Sequence, residues 1–428
     1  MTETTSTKLP FVVVLLALGT FLMNTTEFVI AGLLPAIATD LGVNLAQAGL
    51  LITFFAVGMI IGAPTISVAT ARIPKRLTLV LALALYAAGH IVAATSGSFE
   101  VVLASRVVTA IATGAFLSVA AVVATTAAGP ARATRAMGVM MSGMGLAIVA
   151  GVPLGSWLGQ SIGWRGIFWV LAALAVFVGA VIWRLAPREQ ASTEPVTIRS
   201  QASILRSGRM WLVLTTTALI SGGLLAVYSY VSPLLTDGAG IPEALVPLVL
   251  VGFGLGALTG TILVGRFGDR RPLTTFLAIG VATTIVVALI IPLTSIAAAV
   301  IPLIVLLGLT GMGVASIATP LAVRFGHRGP ALAAALTVSA FNVGIAAGTW
   351  LAGSALESPL GVTGPALVAV GMLILGIIPL IVLAALRATT GPAATLTTNI
   401  AEETLTGQGP SLASIGPEGS LAGPLSSD

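Results

Sequence analysis

Cysteine is absent from this 428-residue chain, which excludes disulfide frameworks, thiolate metal sites and cysteine nucleophiles. Histidine is nearly so: His90 and His327 stand far apart, which argues against a histidine-based metal centre. Charge is scarce as well. Only 8% of residues are charged, against about 25% in a soluble domain, while 57% are hydrophobic, so the solvent this composition suits is lipid. The net charge of +5 does not indicate nucleic acid, because the basic residues come in small groups between apolar stretches rather than in a stripe with interleaved aromatics.

What is present is a succession of apolar runs. A membrane-crossing helix needs roughly 20 mostly apolar residues. Spans are predicted at 11–34, 45–68, 77–96, 100–124, 135–160, 166–186, 210–235, 245–265, 273–293, 297–321, 331–355 and 363–387. Lys8 precedes the first run as it would in a leader peptide. The run outlasts a leader's apolar core, however, and has no small-x-small site before Asn24, so it reads as a span. With the N-terminus inside, all basic residues except Arg106 and Arg165 fall in inner segments, and Asp40, Glu100, Asp237, Glu243 and Glu357 fall outside. Every alternate loop obeys the positive-inside rule, which places both termini on the cytoplasmic side; the membrane expected is a bacterial inner membrane.

The expected organisation is an N-terminal six-helix half over 1–186, a basic cytoplasmic linker over 187–209, a C-terminal half over 210–387 and a disordered tail over 388–428. Pro187 and Pro195 discourage a single long helix through the linker. The halves look like repeats: Ser67 to Arg72 and Gly265 to Arg270 both follow the second span of their half, and Gly62 maps on to Gly260 at the same offset. The fold class expected is therefore an all-α membrane protein of twelve transmembrane helices in two six-helix pseudo-repeats, a plan that places a substrate cavity between the halves.

Few polar residues lie within the spans, and these are the candidates for function. Glu27 sits deep in the first span. A carboxyl group there is costly, and such residues usually mark a pathway or a proton relay; the alternative is a neutral carboxyl hydrogen-bonded between helices. Arg106 lies about two turns into the fourth span, in the same outer part of the bilayer as Glu27. It either faces a cavity, where it could pair with Glu27, hold water or contact substrate, or snorkels to the outer headgroups. Asn24 and Met23 precede Glu27, Ala31 follows it, and Thr109 and Thr113 follow Arg106 at helical spacing. With Tyr228, Tyr230 and Asn342 these are candidate substrate contacts, although tyrosine near a membrane boundary is also a common interface anchor. His90, near the end of its span, reads as structural.

Glycines recur every four residues at Gly151, Gly155 and Gly159, at Gly252, Gly256 and Gly260, at Gly58 and Gly62, and at Gly344 and Gly348. Such spacing lets helix backbones approach closely. For any one pair, static packing is the ordinary explanation; four faces spread over both halves point to surfaces that slide or rock.

These residues resemble the major facilitator superfamily, and within it the proton-coupled drug exporters. The run from Gly145 through Pro153 to Gly155 is similar to the antiporter signature of the fifth helix. Arg106 to Gly114 is similar to the fourth-helix signature, whose arginine is implicated in proton coupling. Gly265 to Arg271 matches the loop signature with its acidic Asp269 beside Arg270. The first-half copy around Arg72 departs from it, with Ala71 in place of the acid and Pro74 in place of glycine. Thr26-Glu27-Phe28 followed by Ala31 to Pro35 resembles the subfamily of actinobacterial chloramphenicol exporters and sugar or nucleoside efflux proteins.

The resemblance implies alternating access, with the fifth helix facing the eighth and the second facing the eleventh between the halves. It implies an amphiphilic drug as substrate, the proton as coupling ion with Glu27 as its carrier, no other cofactor, and a monomer that meets lipid and no nucleic acid. One proton at a potential of about 150 mV supports roughly a 300-fold gradient of a neutral drug. Sugar or nucleoside efflux predicts more polar mid-span residues than are visible. A channel or receptor predicts no proton flux on adding substrate. A membrane enzyme lacks any nucleophile–base couple, paired carboxylates or metal cluster to support it.

Overall fold

A computed structural model describes residues 9–69, 73–186, 205–326 and 330–388. Arg72, most of the 187–209 linker and the tail lie outside the described residues. Contacts divide the chain into one unit of Met1–Ile381 and a second of Val382–Asp428, of which only the end of the last helix is described. Among the described residues every regular element is helical, and twelve helices are long and apolar enough to cross a membrane. The spans are Phe11–Phe28, Leu45–Gly62, Lys75–Thr95, Phe99–Ala128, Pro130–Ile162, Trp164–Leu185, Gly208–Ser229, Glu243–Arg270, Pro272–Leu293, Ala297–Phe325, Leu332–Leu356 and Gly361–Leu386. Several run past the predicted ends, because a helix continues through polar residues such as Arg270 once its backbone bonds are in place.

The first span ends sooner than predicted. A turn at Val29 separates it from a shorter helix, Ile30–Leu41, which stops at Gly42 with φ 64°. The seventh span is interrupted in the same part of its sequence, at Tyr230. The fifth contains a π-turn over Ala147–Gly151, in which the Val152 amide bonds Ala147 five residues back. Pro153 explains it. Its ring carries no N–H and would crowd the carbonyl four residues earlier, and the wider turn relieves both problems.

Within the first six spans the first packs on the fifth, the second on the fourth, and the third on the fourth and sixth. Within the last six the seventh packs on the eleventh, and the eighth and ninth on the tenth. Between the two sets the second span meets the eleventh and the fifth meets the eighth.

The glycine faces do not lie at those crossings, contrary to expectation. Gly151, Gly155 and Gly159 face Thr25, Val29 and Leu33 of the first span and its extension, while Gly58 and Gly62 face Val107, Ala110 and Ile111 of the fourth. Gly252, Gly256 and Gly260 face Val305 and Leu309 of the tenth, and Gly344 and Gly348 face Ala218 and Gly222 of the seventh. All four faces thus seal helix pairs within one six-span set, and the pairs correspond: first–fifth with seventh–eleventh, second–fourth with eighth–tenth. In lipid no hydrophobic force joins helices, so close van der Waals contact at glycine does it. At the fifth–eighth crossing the close approach comes instead at Gly254, where a Cβ would lie 2.6 Å from the Ile148 carbonyl oxygen and 2.7 Å from Val149 Cα. The π-turn therefore supplies the surface that the eighth span touches.

One end of the bundle is poor in arginine and tied together. Arg165 pairs with Asp40 and donates to the Ser96 carbonyl at 3.0 Å, and the Trp164 indole donates to Asp40 at 3.0 Å. The Arg165 hydrogen bond holds the Asp40 carboxyl below the usual carboxylate range. At the same end Gln160 donates to the Glu243 carbonyl at 2.8 Å, across the two sets.

Candidate functional site

Glu27 occupies the next-to-last position of its helix, and its half-buried side chain opens on to a cavity between the two sets. The first six spans contribute Phe28, Ala31, Ile52, Phe55 and Ala56; the last six contribute Leu225, Tyr228, Ser229 and Ile345. The cavity measures about 10 Å³, the room a single water occupies in that measure. Among the described residues the carboxylate accepts no hydrogen bond, so the alternative of a carboxyl bonded between helices is not what is found.

Arg106 does not snorkel. It is 1% exposed, and its guanidinium is threaded between the first two spans. Nε donates to the Leu51 carbonyl at 3.3 Å and Nη2 to the Thr26 carbonyl at 3.1 Å, while the guanidinium lies 4.4 Å over the Phe55 ring. Nη1 is buried without a partner among the described residues. Among the described residues Arg106 and Glu27 form no ion pair with each other. The arginine braces the backbone immediately before Glu27 and leaves one donor free.

A second brace comes from the third span. His90 Nδ1 lies 2.8 Å from the Tyr86 carbonyl, which can only accept, so Nδ1 carries the proton. In the neutral ring Nε2 then accepts from the Thr26 hydroxyl. Tyr86 donates to the Leu22 carbonyl at 2.9 Å. Thr26 is thereby held through both its carbonyl and its hydroxyl. The structural reading of His90 stands, though its partner is the neighbour of Glu27.

Of the predicted substrate contacts, Ala31 and Tyr228 line the cavity, and Tyr228 also donates to the Phe28 carbonyl across the sets at 3.3 Å. The others do not line it. Asn24 donates to the Thr20 carbonyl, Thr109 to that of Arg106, Thr113 to that of Thr109 and to the Met23 sulfur, and Asn342 to that of Val338. A hydroxyl or amide within a helix can satisfy itself on its own preceding turn. Asn342 Oδ1 remains buried and, among the described residues, unpartnered. Tyr230 is wedged between Gly49 of the second span and Gly353 of the eleventh, and donates to Thr349 at 3.2 Å. Gly353 also approaches Ala46, so this tyrosine belongs to a crossing between the sets rather than to the cavity. Pro153 is buried just beyond the π-turn; Asp269 and Arg270 are exposed at the arginine-rich end.

The aromatic and aliphatic lining was missed from the sequence, as was Gly254. Nothing in an apolar span distinguishes Phe55, which faces the cavity, from Phe54, which is 38% exposed on the outside. Gly254 carried a signal that was overlooked, since it lies off the four-residue stripe.

The sequence profile of a family described as "Major Facilitator Superfamily" matches residues 16–349. A chloramphenicol resistance protein of Streptomyces lividans is 33% identical over 374 residues, covering 86% of this chain and 95% of that protein. The uncharacterized MFS-type transporter YtbD of Bacillus subtilis (strain 168) is 31% identical over 362 residues, covering 84% of this chain and 91% of YtbD. A probable sugar efflux transporter of Helicobacter pylori (strain G27) is 29% identical over 348 residues, covering 81% and 88%. Among solved structures, an inward-facing, unoccupied bacterial homolog of the human lysosomal transporter Spinster superposes with a TM-score of 0.69 at 17% identity, covering 88% of this chain and 95% of that one.

Proposed function

The chain belongs to the Major Facilitator Superfamily as a multi-pass membrane transporter, not an enzyme, and from that premise we propose that it exports amphiphilic drugs such as chloramphenicol in exchange for protons. The observation that carries the reading is Glu27: a carboxyl group with no hydrogen-bond partner among the described residues, opening on to an otherwise largely apolar cavity walled by both sets of six spans. Such a group can take a proton from one side and release it to the other as the two sets rock. Arg106 supplies a fixed positive charge nearby and a free donor.

With the arginine-rich end in the cytoplasm, the closed crossings lie on the outside. Gln160–Glu243 and Ala46–Gly353 seal that end, and the fifth and eighth spans stay together inward as far as Gly145 and Leu258. Release of drug outward then requires these contacts to part. The likeness to the Streptomyces protein supports chloramphenicol as substrate. The likeness to a probable sugar efflux transporter supports a sugar instead, but most of the lining, Phe28, Ile52, Phe55, Leu225 and Ile345 among it, is apolar and suits an amphiphile once the cavity widens, leaving a sugar only Glu27, Tyr228 and Ser229 to hydrogen-bond.

Everted vesicles containing the protein are expected to accumulate radiolabelled chloramphenicol when an inward-acid gradient is imposed, and to release it when a protonophore removes the gradient. Accumulation of a labelled sugar with no drug transport would replace the drug reading, and drug movement indifferent to the gradient would remove the proton from it.

Arg106→Ala is expected to lose gradient-driven transport, and Arg106→Lys to recover less than about a tenth of it. A lysine cannot reach the Leu51 and Thr26 carbonyls with one planar fork, and each charge-assisted bond is worth about 1.5–3 kcal/mol. Initial efflux rates, normalised to protein in the membrane, check this; a fully active alanine variant would leave Arg106 no part in transport.

A further inference from the structure

A second cleft shares no residue with the Glu27 cavity. It measures about 700 Å³ and lies where the eighth and ninth spans splay apart at the arginine-rich end, with the tenth as its floor. Gly260 presses on the Leu309 backbone and closes the eighth span on the tenth, so the opening is left beside the ninth. Its walls are apolar: Leu263, Phe267, Ala278 and Leu309 among others. Phe267 is 64% exposed and Leu263 40%, on a span long and apolar enough to cross a membrane. At the mouth stand Arg270 and Arg271, with Thr274 and Thr275 in the first turn of the ninth span.

Neither arginine forms an ion pair among the described residues, and Asp269, though adjacent in sequence, does not line the cleft. Among the described residues two guanidinium groups thus sit without an ion pair at the end of a membrane span, over an apolar slot of the size ligand clefts have, about 300–1,000 Å³. The ninth helix adds the positive end of its dipole at the same mouth. A free anion would match the charges and leave the slot empty; a hydrocarbon alone would fill the slot and leave the charges unanswered.

We propose that this cleft binds an anionic phospholipid, with its phosphate on Arg270 and Arg271 and one acyl chain between the eighth and ninth spans against the tenth. The arginines and the slot each select for one part of the same molecule. The occupant is drawn from the surrounding leaflet and sits wholly within the last six spans, away from Glu27.

The test is native mass spectrometry of the purified full-length protein with dioleoyl phosphatidylglycerol, dioleoyl phosphatidylcholine and inorganic phosphate, in the absence of drug and gradient. One phosphatidylglycerol is expected to be retained about thirtyfold more tightly than phosphatidylcholine, two basic residues near the headgroup contributing about 2 kcal/mol together. The double variant Arg270→Gln/Arg271→Gln should lose that preference and Arg270→Lys/Arg271→Lys should keep most of it, which separates charge loss from misfolding. Ala278→Trp should displace both lipids by filling the slot. Equal retention of the two lipids, a preference that survives the glutamine pair, or displacement of phosphatidylglycerol by inorganic phosphate at equal concentration would each overturn the assignment. Failure here leaves the export reading standing, since no transport is measured.

Discussion

Glu27→Gln is expected to reduce gradient-driven accumulation of drug to the level outside the vesicle, while the protein remains folded and inserted. The amide matches the carboxyl in shape and resembles its protonated form, but it exchanges no proton. Since the Glu27 carboxyl accepts no hydrogen bond among the described residues, no structural bond is lost with it. What disappears is the coupling: about 2.3 kcal/mol per 100 mV for each proton, so a ratio near 300-fold at about 150 mV falls to about one. Counterflow, in which labelled drug exchanges for unlabelled drug with no gradient, should persist, because the cavity still binds and the two sets still rock. That split separates a carrier of protons from a residue needed for binding. Undiminished accumulation by the variant would end the carrier role, and loss of counterflow together with accumulation would reassign Glu27 to the drug.

A pair of glycine variants two residues apart should fail in opposite ways. At Gly254 a Cβ would overlap the Ile148 carbonyl and Val149 Cα, across the crossing of the eighth span with the fifth. At Gly256 it would overlap the Val305 carbonyl and crowd the Leu309 amide, inside the eighth–tenth pair. Gly254→Leu therefore leaves each set intact and penalises only the state in which the crossing is closed. Overpacking of about 1–3 kcal/mol shifts a two-state balance by about 5- to 150-fold. Gly256→Leu has no state in which to escape, since its contact lies within one set, and should yield little folded protein.

The readout is a single cysteine, unambiguous because the chain has none of its own. Ala56 lines the cavity and is 1% exposed. In an Ala56→Cys background, Gly254→Leu should raise labelling from the arginine-poor side at least about tenfold and lose net transport, with a normal amount of protein in the membrane. Unchanged labelling with normal efflux would show that the fifth–eighth crossing does not gate the cavity.

These contrasts also show what could be read beforehand. The twelve spans were legible because lipid demands long apolar helices and tolerates little else. Their pairing across the two sets, second with eleventh and fifth with eighth, followed from the resemblance and is what the contacts show. The glycine stripes were legible as close-packing faces, but a stripe does not name its partner, and Gly151 and Gly256 turned out to face their own sets. Glu27 and Arg106 stood out because charge in a span is costly. Thr109, Thr113, Asn24 and Asn342 stood out for the same polarity, but each spends a hydrogen bond on its own helix and none lines the Glu27 cavity. The cavity walls were illegible: Phe28, Ile52 and Ile345 are what any span contains.

The π-turn before Pro153 bears on how the fifth span is to be mapped. Each ordinary helical residue advances the azimuth by about 100°, and the extra residue held in Ala147–Gly151 adds one such step without a matching advance of the ladder. A helical wheel drawn straight through from Ala133 to Ile162 is therefore out of phase on one side of the turn. In a residue-by-residue accessibility scan the signal should keep a period near 3.6 from Ala133 to Leu146 and again from Val152 to Ile162, with the second wave displaced by one position from the continuation of the first. Residues that look lipid-facing on the uncorrected wheel, Val149 above all, are then found in the seam.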